Sequence, residues 1–205
     1  MSDVSSPPDP STVVRVLRLR LKDKHASALR EKAYWVNCVW NYSNDLSLQV
    51  FQREHRFISN YEIDRYTAGA SKAGIPLHSQ TIQAVSAELV TRRRQCHKVK
   101  LRWRVSTGPR RSLGWIPFKA SALRYRNGQL WLSGLDKPLS LWDSYGLADY
   151  ALGAGSISED ARGRWYINIT IKVKKAEGGK GKADCGIDLG LQSLVTFCFL
   201  KCAQR

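Results

Sequence analysis

Asp188 is the residue whose chemistry is most specific. It stands in Cys185-Gly186-Ile187-Asp188-Leu189-Gly190-Leu191, an apolar strand that carries one carboxylate and ends in glycine. A carboxylate placed this way is the usual first ligand of a two-metal phosphodiesterase site. Such a site holds two divalent ions roughly 4 Å apart and needs several carboxylates to do so. None of the residues after Asp188 is Asp or Glu. The chain therefore opens a nuclease-like site without the later carboxylates that would complete it.

The second chemical feature is charge. Lys and Arg number 33 against 17 Asp and Glu, a formal net charge of +16. From Leu89 to Leu135 there is no acidic residue, but there are twelve basic ones: Arg92, Arg93, Arg94, Lys98, Lys100, Arg102, Arg104, Arg110, Arg111, Lys119, Arg124 and Arg126. A surface of this kind is rewarded by counterion release from a phosphate backbone. The Arg92–Arg104 run is expected to lack acidic partners at helical spacing, and Trp103 is interleaved within it. Both features favour nucleic-acid contact over a merely solvated helix face. Trp115, Trp131, Trp142 and Trp165 are expected in the core rather than as base-stacking platforms.

Other chemistries find little support. The five cysteines, at 38, 96, 185, 198 and 202, make no CxxC pair, so no zinc site is expected. Their odd number and the lack of a signal-peptide pattern predict reduced thiols in a cytoplasmic protein. No metal-ligand spacing joins His25, His55, His78 and His97. No apolar run reaches membrane-spanning length, so no membrane partner is expected.

The elements that must position these residues follow from periodicity. Residues 1–11 read as a disordered leader. Val13 to Lys22 alternates, with Leu17, Leu19 and Leu21 inward and Arg18, Arg20 and Lys22 outward, which predicts a strand. Leu29, Ala33, Val36 and Trp40 predict a helix from Lys24 to Glu54. A second helix is expected from about Tyr61. A third follows Pro76, with Ser79 as its cap and Ile82, Val85 and Leu89 as its apolar stripe. Asn127-Gly128 predicts a tight hairpin. Leu139 to Trp142 is a short strand candidate. The clearest strand has Trp165, Ile167, Ile169, Ile171 and Val173 inward. Residues 175–183 read as a flexible linker, and residues 184–205 as two apolar strands. The predicted class is α+β: an antiparallel β-barrel interrupted by a helical bundle, then a separate opening hairpin.

Five segments carry a family resemblance: Trp40-Asn41-Tyr42, His78 to Gln83, Leu113-Gly114-Trp115-Ile116-Pro117-Phe118-Lys119, Ser158 to Tyr166, and Gly186 to Leu191. With them the chain resembles the N-terminal half of TnpB-type proteins, the OrfB products of insertion sequences, often described as transposases and related to the type V CRISPR effectors. The resemblance implies a wedge domain at 12–23 and 105–174, and a helical recognition insertion at 24–104. It also implies the start of a RuvC-like nuclease of RNase H fold at 184–205. Guide RNA and target DNA are the implied partners, in the nucleoid-associated cytoplasm of a prokaryote. Arg92, Arg93, Arg94, Lys98, Lys100, Arg102, Arg104, Arg110, Arg111 and Lys119 are the expected nucleic-acid ligands. In the complete family enzyme Asp188 is a catalytic residue and a ligand of Mg²⁺. This sequence lacks the family's later Glu and Asp segments and its cysteine-rich zinc module, so these residues are expected to bind without cutting. The alternative is a stand-alone RNA- or DNA-binding protein of the same descent. A β-barrel RNA-binding protein of other ancestry fits poorly, because it would have no use for the Asp188 strand.

Overall fold

The computed structural model describes residues 11–175, 184–188 and 196–200, with side chains for 11–175. The chain forms two compact units, one up to Val173 and one from Lys174 onward. The first begins with β1 (Thr12–Arg20) and a single 3-10 turn, followed by α1 (Ala26–Glu54), α2 (Asn60–Tyr66) and α3 (Ser79–Cys96). Then come β2 (Trp115–Phe118), β3 (Leu123–Arg126), β4 (Gln129–Leu132), β5 (Leu152–Glu159) and β6 (Trp165–Lys174). The second unit contains β7 (Asp184–Asp188) and β8 (Thr196–Leu200), paired antiparallel.

The class is α+β, but the predicted barrel does not close. Four strands form an open sheet in the order β1-β6-β5-β2, and β3-β4 is a separate hairpin. The Leu139–Trp142 candidate contributes only isolated bridges, Leu21 to Leu141 and Leu130 to Leu139. The reason lies in what covers the sheet. Leu17, Leu19, Ile157, Ile167 and Ile169 are buried in one cluster with Val36 of α1 and Val85 and Leu89 of α3. Both helices pack on β2, so they fill the space that further strands would enclose in a barrel.

Local signals explain most element ends. Asn127 and Gly128 both have positive φ, 51° and 73°, as a two-residue hairpin requires. Ser59 and Glu62 form a reciprocal capping box at the start of α2. The cap of α3 is His78 rather than Ser79: its Nδ1 accepts from the Gln80 N–H at 3.3 Å, and Ser79 is the first helical residue. Helices α1 and α3 both stop at a histidine in the left-handed conformation, His55 and His97. Among the described residues no helix is long and apolar enough to cross a membrane.

Candidate nucleic-acid interface

Helix α1 carries Asn37, Trp40, Asn41 and Asn44 at the spacing that puts them on one face. Asparagine is a poor helix former, because its amide competes for the backbone. Here the amides are used on another segment. Leu101 to Ser106 has no regular secondary structure, and α1 supplies its backbone partners. Asn44 Nδ2 donates to the Leu101 carbonyl at 2.8 Å, and the Leu101 N–H donates back to Asn44 Oδ1 at 3.0 Å. Asn41 makes the same two-way pair with Arg104, both bonds at 2.9 Å. Trp40 Nε1 donates to the Arg102 carbonyl at 3.3 Å, and Asn37 Nδ2 to Ser106 Oγ at 3.0 Å. The segment is thus a strap fixed by side-chain amides. It buries Leu101 and leaves Arg102 and Trp103 exposed. Sequence reasoning passed over this ladder, although three asparagines on one face of a long helix were its signal.

The strap forms one wall of an open groove of about 760 Å³. Arg92 enters it from the last turns of α3, Lys98 and Lys100 from the link that follows, and Arg102 and Arg104 from the strap, while Trp40, Trp115 and the carboxylates Glu88 and Glu159 also line it. Five of the ten expected basic ligands therefore meet in one place. Trp40 and Trp115 pack edge to face at 5.9 Å. The Arg104 guanidinium lies 5.4 Å from the Trp115 ring centroid, with Nε donating to Asn37 Oδ1 at 2.6 Å and Nη2 to the Leu113 carbonyl at 2.7 Å. Burial lowers the Arg104 pKa from its ordinary value, but an arginine remains charged at neutral pH. Lys100 Nζ sits 5.8 Å from the Trp103 ring.

Three corrections concern the basic residues. Arg92 has an acidic partner at helical spacing after all: its Nε donates to Glu88 Oε1 at 2.6 Å. Glu88 lies one residue before the acid-free stretch, which is why the stretch concealed it. Arg93 is only 4% exposed. It donates to Ser47 Oγ and to the Ile58 carbonyl, and its guanidinium lies 4.8 Å from the Phe57 ring centroid. It anchors α3 to the segment after α1 and is not available to a phosphate. Arg111 is committed to Glu159, with Nη1 to Oε2 at 2.6 Å and Nη2 to Oε1 at 3.0 Å. The remaining candidates scatter. Arg94 lines a different pocket with Phe57 and His97, Arg110 is exposed in the turn before β2, and Lys119 Nζ donates to Gln83 Oε1 at 2.7 Å. The tryptophans also divide. Trp165 is core at 2% exposure and Trp115 is half-buried, but Trp131 and Trp142 are exposed.

Behind the groove, two of the motif segments meet. The Glu159 N–H donates to the Gly114 carbonyl at 2.8 Å, and the Gly114 N–H donates to Glu159 Oε2 at 3.0 Å. Arg30 approaches the same carboxylate at 3.7 Å. Burial pushes the Glu159 pKa up, but the Arg111 hydrogen bonds and the Gly114 N–H, with the charges of Arg111 and Arg30, outweigh it, and the value falls below the ordinary 4.5. A carboxylate with a depressed folded pKa stabilises the protein above its unfolded pKa, and that stabilisation is lost as pH falls through the folded value. Glu159→Gln is therefore expected to shallow the loss of thermal stability below about pH 4.3. Melting curves across that range check this; parallel wild-type and variant profiles would remove Glu159 from the acid limb.

The Mg²⁺ implied by the resemblance has its one candidate ligand, Asp188, in β7, where the side chains lie outside the described residues. Among the described residues no three His, Cys, Asp or Glu side chains come together as a metal-binding group. No family model matches the chain. Over 80 residues, 38% of the chain, it is 34% identical to a protein of Streptomyces pristinaespiralis described as "Putative RNA-guided DNA endonuclease". The match spans a fifth of that relative's length, and RNA-guided endonucleases are thus what this part of the chain is similar to.

Proposed function

We propose that this chain is the nucleic-acid-binding portion of a TnpB-like RNA-guided DNA endonuclease, holding guide RNA and target DNA. The reading places Asp188 as the first carboxylate of its RuvC-like nuclease. The observation that carries it is the groove, where Arg92, Lys98, Lys100, Arg102 and Arg104 converge around Trp40 and Trp115. The partial match to an RNA-guided DNA endonuclease supports the same reading. Cations supply affinity for the phosphate backbone whatever its sequence, and the half-buried Trp115 ring suits an unpaired base. These 205 residues alone are expected to bind without cutting, since one RuvC carboxylate cannot clamp two metal ions.

One titration tests both halves. Structured RNA should bind with log K falling steeply as log salt rises. Adding Mg²⁺ should leave the RNA, and a DNA duplex, intact. A flat salt dependence would remove the binding reading. Mg²⁺-dependent cleavage that disappears in Asp188→Ala would overturn the inactivity.

A further inference from the structure

The groove does not end at Trp115. In the sheet register Trp115 pairs with Ser158, and Ser158 pairs with Tyr166. The next residues along these strands, Ile116, Ile157 and Ile167, form the adjacent cross-strand row and are buried on the opposite face. Trp115, Ser158 and Tyr166 therefore make one row across the outer face, with the Trp115 and Tyr166 backbones two strand spacings, about 10 Å, apart. Beyond Tyr166 comes β1, whose Arg18 guanidinium lies 4.2 Å from the Tyr166 ring centroid. Arg164 reaches the same ring at 5.9 Å. Arg20 and Lys22, at alternate positions with Arg18, lie 5.2 and 5.8 Å from the ring of Trp142, which is 51% exposed. Three aromatic rings and their cations thus line one sheet face that begins at the wall of the groove.

We infer that this outer face is a platform for single-stranded nucleic acid, continuous with the groove. The inference rests on the groove reading and extends it. Each base has a π-face that stacks on an aromatic ring or a guanidinium plane, and a duplex hides those faces. Cations between the rings match a phosphate backbone running across the strands. The two neighbouring acids, Asp23 and Asp160, are each paired with one of the arginines, Arg20 and Arg164. A protein partner is a poorer match, because charged residues are depleted at the core of protein interfaces. Asn168, in the next row, donates to Ser158 Oγ at 2.9 Å and to the Ser156 carbonyl at 3.3 Å, so polar groups lie between the rings of the platform.

The test is fluorescence anisotropy with a short labelled RNA, the same sequence as DNA, and the RNA annealed to its complement. Tyr166→Val keeps a β-former and removes the ring. It should weaken single-strand binding about tenfold and leave duplex binding unchanged, and Tyr166→Phe should behave as wild type. Comparing the RNA and DNA arms tells which strand the platform prefers. Trp142→Ala, at an exposed position, gives an independent readout should Tyr166→Val fail to fold. Single-strand affinity unchanged in both variants would overturn the platform, as would equal losses for single strand and duplex. Removing the groove cations instead lowers both, so a failure of the groove and a failure of the platform give different patterns.

Discussion

Replacing Lys98, Lys100 and Arg102 together by alanine is expected to lower affinity for single-stranded RNA about a hundredfold at 0.1 M salt. The three side chains line one groove. Among the described residues none of these three side chains makes an ion pair, and Arg102 enters a side-chain hydrogen bond only through its main-chain carbonyl. Each phosphate contact on a single strand contributes roughly 0.7 to the slope of log K against log salt. Three contacts therefore contribute roughly 2 units of slope, and the same amount of log K per decade of salt. The fold should be indifferent, because the strap is held through its backbone, by the amides of Asn41 and Asn44. Arg93→Ala makes the contrast. It should leave the slope alone and lower the melting temperature, since its guanidinium serves Ser47 and Ile58. A triple variant with wild-type slope would show that the groove is not where the phosphate backbone lies.

Gly114→Ala is expected to cost about 3 kcal/mol, at the upper end of the usual range for overpacking. A Cβ at Gly114 would stand 2.2 Å from Trp165 Cη2, with two more ring atoms within 3 Å. The ring is 2% exposed and belongs to the core, and the Gly114 backbone is tied on both sides to Glu159. Neither partner has room to retreat. For a chain of this size such a loss corresponds to roughly 6–12 °C in melting temperature. The same substitution should cost much less in a Trp165→Leu background, and that coupling is the diagnostic. Equal costs in both backgrounds would mean that something other than the ring excludes a side chain at Gly114.

What was legible in the sequence was mostly periodicity. Alternation in β6 correctly assigned Trp165, Ile167, Ile169 and Ile171 to the core, and Asn127-Gly128 marked its turn. The open sheet was not legible, because alternation says that one face is buried and not whether strands or helices bury it. Arg93 was half legible. It lies four residues after Leu89, on the apolar stripe of Ile82, Val85 and Leu89, so helical spacing pointed it inward, but its charge argued the other way. The basic block contains the five cations that line the groove. It could not separate Arg102, which faces solvent, from Arg111, whose partner Glu159 is 48 residues away. The ladder from Asn37 to Asn44 was in view only as an oddity of composition, since its partners lie about 60 residues downstream.

That ladder also governs how this surface can change. Because α1 recognises the strap through main-chain atoms at Leu101, Arg102 and Arg104, the identities of the side chains at 102 and 103 are largely decoupled from stability. Under the proposed function, mutations there would be filtered by what they do to a bound strand and little by folding, so drift and selection could rewrite this surface one residue at a time. A designer has the same freedom: a library varied at positions 98, 100, 102 and 103 should yield folded proteins throughout and differ chiefly in what they hold.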